Sequence, residues 1–235
     1  AIGYQAADGM VGAANDNIAI GANALGGTTG ACSSSIAIGT SCLGTQNDAA
    51  SINLAIGHSA GESISSGTKN VLIGHQAGLT IAGTDSSTAV GYQALKLATG
   101  ATNTAVGSLA AATVAAGVKN TVMGYASLMG ADNAEEQNTA IGYAALYGLN
   151  VDDGDLNTGI GSFAGTYLAD GSTPITDIRE CTYLGAATRG SAATGVENEI
   201  AIGYAAVGQG GDSIMLGNSS INSTNGLWCY DTAIV

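Results

Sequence analysis

The chain's two histidines, His58 and His75, lie seventeen residues apart. Paired imidazoles can share a metal ion, but a zinc site needs three or four ligands. No third ligand accompanies them, so the pair reads as two stacked rings rather than a metal centre. Asp152, Asp153 and Asp155 crowd around a glycine in NVDDGDL (150–156). Such oxygens suit a hard cation. The loop lacks the closing Glu of an EF-hand, so it reads as solvated surface, with a cation site as the weaker alternative. Ala134-Glu135-Glu136 reads as solvated surface too. Tyr92, Tyr125 and Tyr143, with Trp228 and Tyr230 near the end of the chain, offer rings that can pack on apolar patches of a sugar. They are the candidate ligand contacts, along with the irregular stretch TYLADGSTPITDIRE (166–180). No nucleophile–base arrangement, phosphate-cradling loop or carboxylate pair emerges. The reading is a protein without catalysis and without a cofactor.

These residues recur in register because the chain repeats. NTAIGYAAL (138–146) returns as NTAVGSLAA (103–111), NTGIGSFAG (157–165), NLAIGHSAG (53–61) and NIAIGANAL (17–25). Its glycine falls at Gly3, Gly21, Gly39, Gly57, Gly74, Gly91, Gly107, Gly124, Gly142, Gly161, Gly185, Gly203 and Gly217. The intervals are mostly 16–19 residues, with 24 from Gly161 to Gly185 and 14 at the end. Such a period marks a solenoid or array. The fourth residue before each glycine is Asn17, Asn53, Asn70, Asn103, Asn120, Asn138 and Asn157, or Ser35 and Ser87, then Cys181, Glu199 and Ser213. His58 and His75 share the slot after the glycine with Tyr4, Tyr92, Tyr125, Tyr143 and Tyr204.

Short segments rich in β-branched residues between punctuators predict strands. Successive side chains alternate faces, and neither face of x-Ala-Ile-Gly is charged. Strands of that kind are buried on both sides. The expected fold is therefore all-β: a parallel β-solenoid of about 13 coils, each of two short strands, a tight turn and a surface loop. Coils spaced at about 4.8 Å make a rod of roughly 60 Å. The asparagine amides are expected to form a ladder from coil to coil. The glycines supply a bulge, a positive φ or close backbone approach. Thr88, Thr104, Thr121, Thr139, Thr158 and Thr182 share a face with the Ile row and are expected to be buried.

The charge, 18 Asp and Glu against 5 Lys and Arg, disfavours nucleic acid and anionic membrane as partners. No apolar run reaches the about 18 residues of a spanning helix. Cys32, Cys42, Cys181 and Cys229 are too few and scattered for a disulfide framework. They read as small buried hydrophobes, with Cys32–Cys42 the one pair worth testing. The chain opens inside the repeated phrase, which reads as a piece of something longer. Residues 1–211 form the repeat domain, and 212–235 a C-terminal segment that breaks it.

Asn-Thr-Ala-Ile-Gly-x-x-Ala-Leu at this period resembles the head repeat of trimeric autotransporter adhesins of the YadA type. It resembles more closely the related repeat of bacteriophage tail and other virion fibres. The resemblance covers residues 1–217. It implies a left-handed parallel β-roll and three chains around one axis, with small residues facing the trimer interface. Cys181 and Glu199 at the Asn position, Arg189, and the 24-residue interval depart from the pattern. DSIMLGNSSINSTNGLWCYDTAIV (212–235) is similar to the segment that precedes an intramolecular chaperone of the endosialidase type, which cuts itself off before a Ser-Asp pair. The implied protein is a homotrimeric virion fibre that binds a host surface glycan or protein and joins other fibre or baseplate proteins. Alternatives are a bacterial adhesin head at the cell surface and a purely structural spacer.

Overall fold

The structure is a computed structural model and describes residues 1–11, 14–28, 32–46, 52–81, 83–130, 135–150 and 155–219. The chain is an all-β parallel solenoid, with no helix among the described residues and so none to cross a membrane. The strands are β1 (Ile18–Ile20), β2 (Ile36–Ile38), β3 (Leu54–Ile56), β4 (Val71–Ile73), β5 (Thr88–Val90), β6 (Thr104–Val106), β7 (Thr121–Met123), β8 (Thr139–Ile141), β9 (Thr158–Ile160), β10 (Ile178–Arg179), β11 (Thr182–Leu184), β12 (Val196–Glu197), β13 (Glu199–Ile202) and β14 (Ser213–Leu216). Twelve of them stack in chain order into one sheet, while β10 and β12 pair separately. Register is position on position: Ala19 lies against Ala37, Ala37 against Ala55, and Tyr183 against Ala201. Ile2 extends the order by bridging to Ile20. The sheet continues through Leu216, past the expected boundary at residue 211.

Each regular coil has one three-residue strand among the described residues, not the two expected. A six-residue turn takes the place of the second. Its second and fourth residues adopt left-handed φ, as at Asn23 (54°) and Leu25 (52°), or Ala144 (49°) and Leu146 (50°). Such residues cost about 1–2 kcal/mol each. Stacking offsets this, because the turn bonds in both directions: the Asn23 N–H donates to Tyr4 in the coil before and the Leu25 N–H to Cys42 in the coil after. The repeated glycine that precedes the turn combines the two roles expected of it. Gly21 has φ +130°, and a Cβ there would sit 2.6 Å from the Gly39 carbonyl. Only a residue without a side chain lets the coils approach so closely.

The core explains which face turns inward. The middle residue of each three-residue strand, Ala in most coils, is buried against the Ala and Leu of the turn, such as Ala24 and Leu25 or Ala145 and Leu146. Large residues fit this narrow interior where a neighbour shrinks. Leu72 replaces Ala, and Gly61 and Gly78 beside it have no room for a Cβ because Leu72 fills it. Tyr183 stands in the same way against Gly165.

The flanking strand positions are half-buried or exposed in the single chain, so the chain by itself buries one face of the strand and leaves the other for a second layer or another chain to cover. The Thr row lies on that outer face, with Thr104 and Thr121 exposed. The small Ala residues fill the chain's own interior. The Ile, Val and Thr rows, not the small residues, are what the chain offers outward.

Candidate functional site

The Asn column is fully engaged in holding coils together. The Oδ1 of Asn53 accepts the Asn70 N–H at 2.9 Å, and Asn103, Asn120 and Asn138 accept the next backbone N–H at the same distance. Asn17 and Asn157 do the same for Ser35 and Cys181. The amide nitrogens of Asn53 and Asn70 donate at 2.8 Å to the carbonyls of Gly67 and Thr84 in the following coil. The ladder thus runs from side chain to backbone, with an amide-to-amide bond at Asn120–Asn103 (3.1 Å). Asn53, Asn70, Asn103, Asn120 and Asn157 each satisfy one buried N–H and one buried C=O, which are costly to leave unpaired. Ser35 and Ser87 supply an acceptor hydroxyl in the same column.

The thiols of Cys32, Cys42 and Cys181 are free and buried, so Cys32 and Cys42 do not pair. Burial pushes Cys42 up to about 12, against a weaker lowering by a backbone hydrogen bond, and also pushes Cys181 up. Both are inert as nucleophiles at neutral pH. Glu199, at the Asn position of its coil, is buried and accepts the Tyr183 hydroxyl (2.7 Å) and the N–H groups of Gly210 (2.9 Å) and Ser191 (3.3 Å). Burial holds the Tyr183 hydroxyl well above the ordinary tyrosine range. This cluster joins two successive coils, as a structural group would.

Two groups of rings lie in the slot after the repeated glycine. His58 stacks on His75 (5.2 Å, 10°), which stacks on Tyr92 (5.4 Å, 14°). Among the described residues, no group of three potential metal ligands forms there or elsewhere. Ser108 interrupts the column, and Tyr125 then stacks on Tyr143 (5.4 Å, 11°). In the next coil Ser162 occupies the slot and Phe163 follows it. The Phe163 ring turns to 72° against Tyr143 at 4.9 Å and meets Tyr167 at 5.8 Å.

Tyr167 belongs to the insertion that lengthens the 24-residue interval. The insertion folds back on itself: Tyr167 bridges antiparallel to Pro174, and the Leu168 N–H donates to Thr173. Asp170 caps its tip, accepting from the Thr173 hydroxyl and from the N–H groups of Thr173 and Ser172. Those bonds, the hydroxyl's first, hold its carboxyl near 2. Arg189 reaches the insertion, donating from Nη1 to the Ala169 carbonyl at 2.8 Å.

The result is a pair of adjoining hollows. One of about 310 Å³ is lined by Tyr125, Tyr143, Tyr147, Met129, Phe163 and Tyr167 among others. The next, of about 260 Å³, is lined by Phe163, Tyr167, Gly171, Ala187 and Arg189. Tyr125 and Tyr143 are thus brought together, whereas Tyr92 belongs to the histidine stack. Phe163, Tyr147 and Arg189 are wall residues that the candidate contacts lacked, whereas Tyr167 comes from the candidate stretch 166–180. Their signal is the slip of the aromatic by one position at Phe163, immediately before the long interval. Trp228, Tyr230, Asp152, Asp153 and Cys229 lie outside the described residues. Asp155 accepts the Glu136 N–H at 2.6 Å, a coil-to-coil bond.

Comparison of the chain with protein-family models, with curated proteins and with solved structures gives no match.

Proposed function

We propose that the protein is a homotrimeric fibre segment of a virion, a left-handed roll of thirteen coils that projects and presents receptor-binding surfaces to a host cell, with no catalytic role. One observation carries the reading. The outer face of the main sheet is two parallel rows of Ile, Leu, Val, Thr and Met, from Ile18 and Ile20 to Ile214 and Leu216, partly exposed in the single chain. An apolar strip running the length of a rod is far larger than the scattered apolar residues of an ordinary surface. Its regular coil spacing suits an identical partner in register. The resemblance supplies the number three and the virion context. Three identical copies of any weak contact site then raise avidity.

Sedimentation equilibrium at micromolar concentration tests this reading. The expected mass is three chains. Placing a charge in the outer row, Val106→Glu, is expected to release monomers that keep a β-rich circular dichroism spectrum. A wild-type protein that sediments as one chain overturns the proposal.

A further inference from the structure

We infer that the paired hollows walled by Tyr125, Tyr143, Tyr147, Phe163, Tyr167 and Arg189 bind a carboxylated oligosaccharide, its rings against the aromatics and its carboxylate on Arg189. The inference rests on the receptor-binding part of the reading above and names the class of receptor.

Three features converge on this ligand. The first is the rings. Five of the chain's eleven aromatic residues line one trough. Ser108 leaves the near face of Tyr125 without a stacked ring, and the 72° turn takes Phe163 out of the stack. Open aromatic faces pair with the apolar C–H faces of pyranose rings.

The second is the hydroxyls. Among the described residues, the phenols of Tyr125, Tyr143, Tyr147 and Tyr167 have no hydrogen-bond partner. They line the hollow as both donors and acceptors. A purely hydrophobic ligand would leave them unmatched, whereas a polyhydroxylated one engages them.

The third is charge. The chain has a formal charge of −13 and five Lys and Arg in all, yet one of those five stands at the end of this trough. Among the described residues no carboxylate pairs with Arg189. Its Nη1 donates to the Ala169 carbonyl, and the residue lines the hollow together with Phe163 and Tyr167. The nearby Asp170 is engaged by Thr173 and Ser172. A guanidinium so placed favours a carboxylate. A cationic ligand, which aromatic walls alone would suit, meets repulsion there.

Calorimetric titration with alginate oligouronate and with its fully methyl-esterified form tests the site, on protein whose assembly mass is measured in parallel. The two probes share rings and hydroxyls and differ in charge. The uronate is expected to bind at least about tenfold tighter than the ester, the size of a charge-assisted hydrogen bond. Arg189→Gln is expected to abolish that difference by weakening uronate binding more than ester binding, and Arg189→Lys to restore part of it. Tyr143→Ala is expected to weaken both probes, with Tyr143→Phe intermediate. Melting curves confirm that each variant is folded. Equal affinity for the two probes, or no binding of either by folded protein, overturns the inference. So does dissociation of the assembly by Tyr143→Ala, which would make the rings a chain–chain contact. Failure to bind by an assembled trimer sinks the trough alone. Binding by a protein that sediments as a monomer sinks the fibre reading and leaves the trough.

Discussion

The coils from β1 to β9 and the stretch from Gly165 to Gly217 bury a polar group at the same place and satisfy it by different means. In the first region a neutral Asn takes one N–H and gives to one carbonyl of the next coil, and the next Asn repeats it. In the second, the buried carboxylate of Glu199 gathers a phenol and two backbone N–H groups from separate turns. The interior follows suit: Ala rows give way to Tyr183, with Gly165 and Gly190 left bare to admit it. A ladder can be lengthened by one rung without redesign. A cluster gathered around one carboxyl group cannot, because each of its donors is supplied once.

The largest effect that can separate the two regions comes from glycine. Gly142 has φ +137°, and a Cβ there would run into the carbonyl of Gly161. Gly195, in the irregular stretch, has φ +71° and nothing within 4 Å of a Cβ. Gly142→Ala is expected to destabilise by about 3 kcal/mol or more, from backbone strain and overpacking together. Gly195→Ala carries the strain alone, about 1 kcal/mol. Urea denaturation of the two variants measures the difference. Equal losses would mean that the coils are not spaced as closely at Gly142 as described.

The glycine stack, the strand position and the stacking of His58 on His75 were legible in the sequence because each follows from period alone. The inward face was not. Alternation says that Ala and the Ile or Thr row point opposite ways. With both rows uncharged, pattern cannot say which is inside. That is decided by the turn, whose Leu25 or Leu146 fills the interior and leaves room only for Ala. The turn was itself illegible: left-handed φ at Leu25, Leu43 or Phe163 contradicts local preference, and the stacked hydrogen bonds that sustain it come from residues eighteen or so away. The trough was legible in part. Tyr125 and Tyr143 are repeat positions, whereas Tyr167 and Arg189 meet them only through the fold of the insertion.

The next effect compares the two buried polar groups directly. Glu199→Ala strands the Tyr183 hydroxyl in the core and removes the partner of the half-buried Gly210 N–H, and a loss of about 3 kcal/mol is expected. Asn120→Ala strands one N–H and one carbonyl, and about 2 kcal/mol is expected. Tyr183→Phe in the Glu199→Ala background tests whether the pair acts as a unit. The double variant should recover part of the loss, since it removes the stranded hydroxyl as well. Additive losses in denaturant melts would show that the phenol and the carboxylate are independent.

The smallest effect at neutral pH becomes a sharp one in alkali. Cys42 occupies a buried column where most coils carry Ala, so Cys42→Ala should change stability at pH 7 by less than about 1 kcal/mol. The unfolded thiol ionises near 9.0, while the buried one stays protonated until about 12. Above pH 9 the unfolded chain therefore sheds a proton that the folded chain keeps, and stability falls as pH rises through that window. Cys42→Ala removes this slope from the regular region. Tyr183, raised by burial from 10.0, and Cys181, raised by burial from 9.0, keep theirs in the irregular one. The variant should consequently match the wild type at pH 7 and exceed it near pH 11, with a residual alkaline decline due to the other cluster. Parallel curves for the two proteins from pH 7 to 11 would mean that the Cys42 thiol meets water in the folded coil, and the tight packing assigned to the regular region would fail with it.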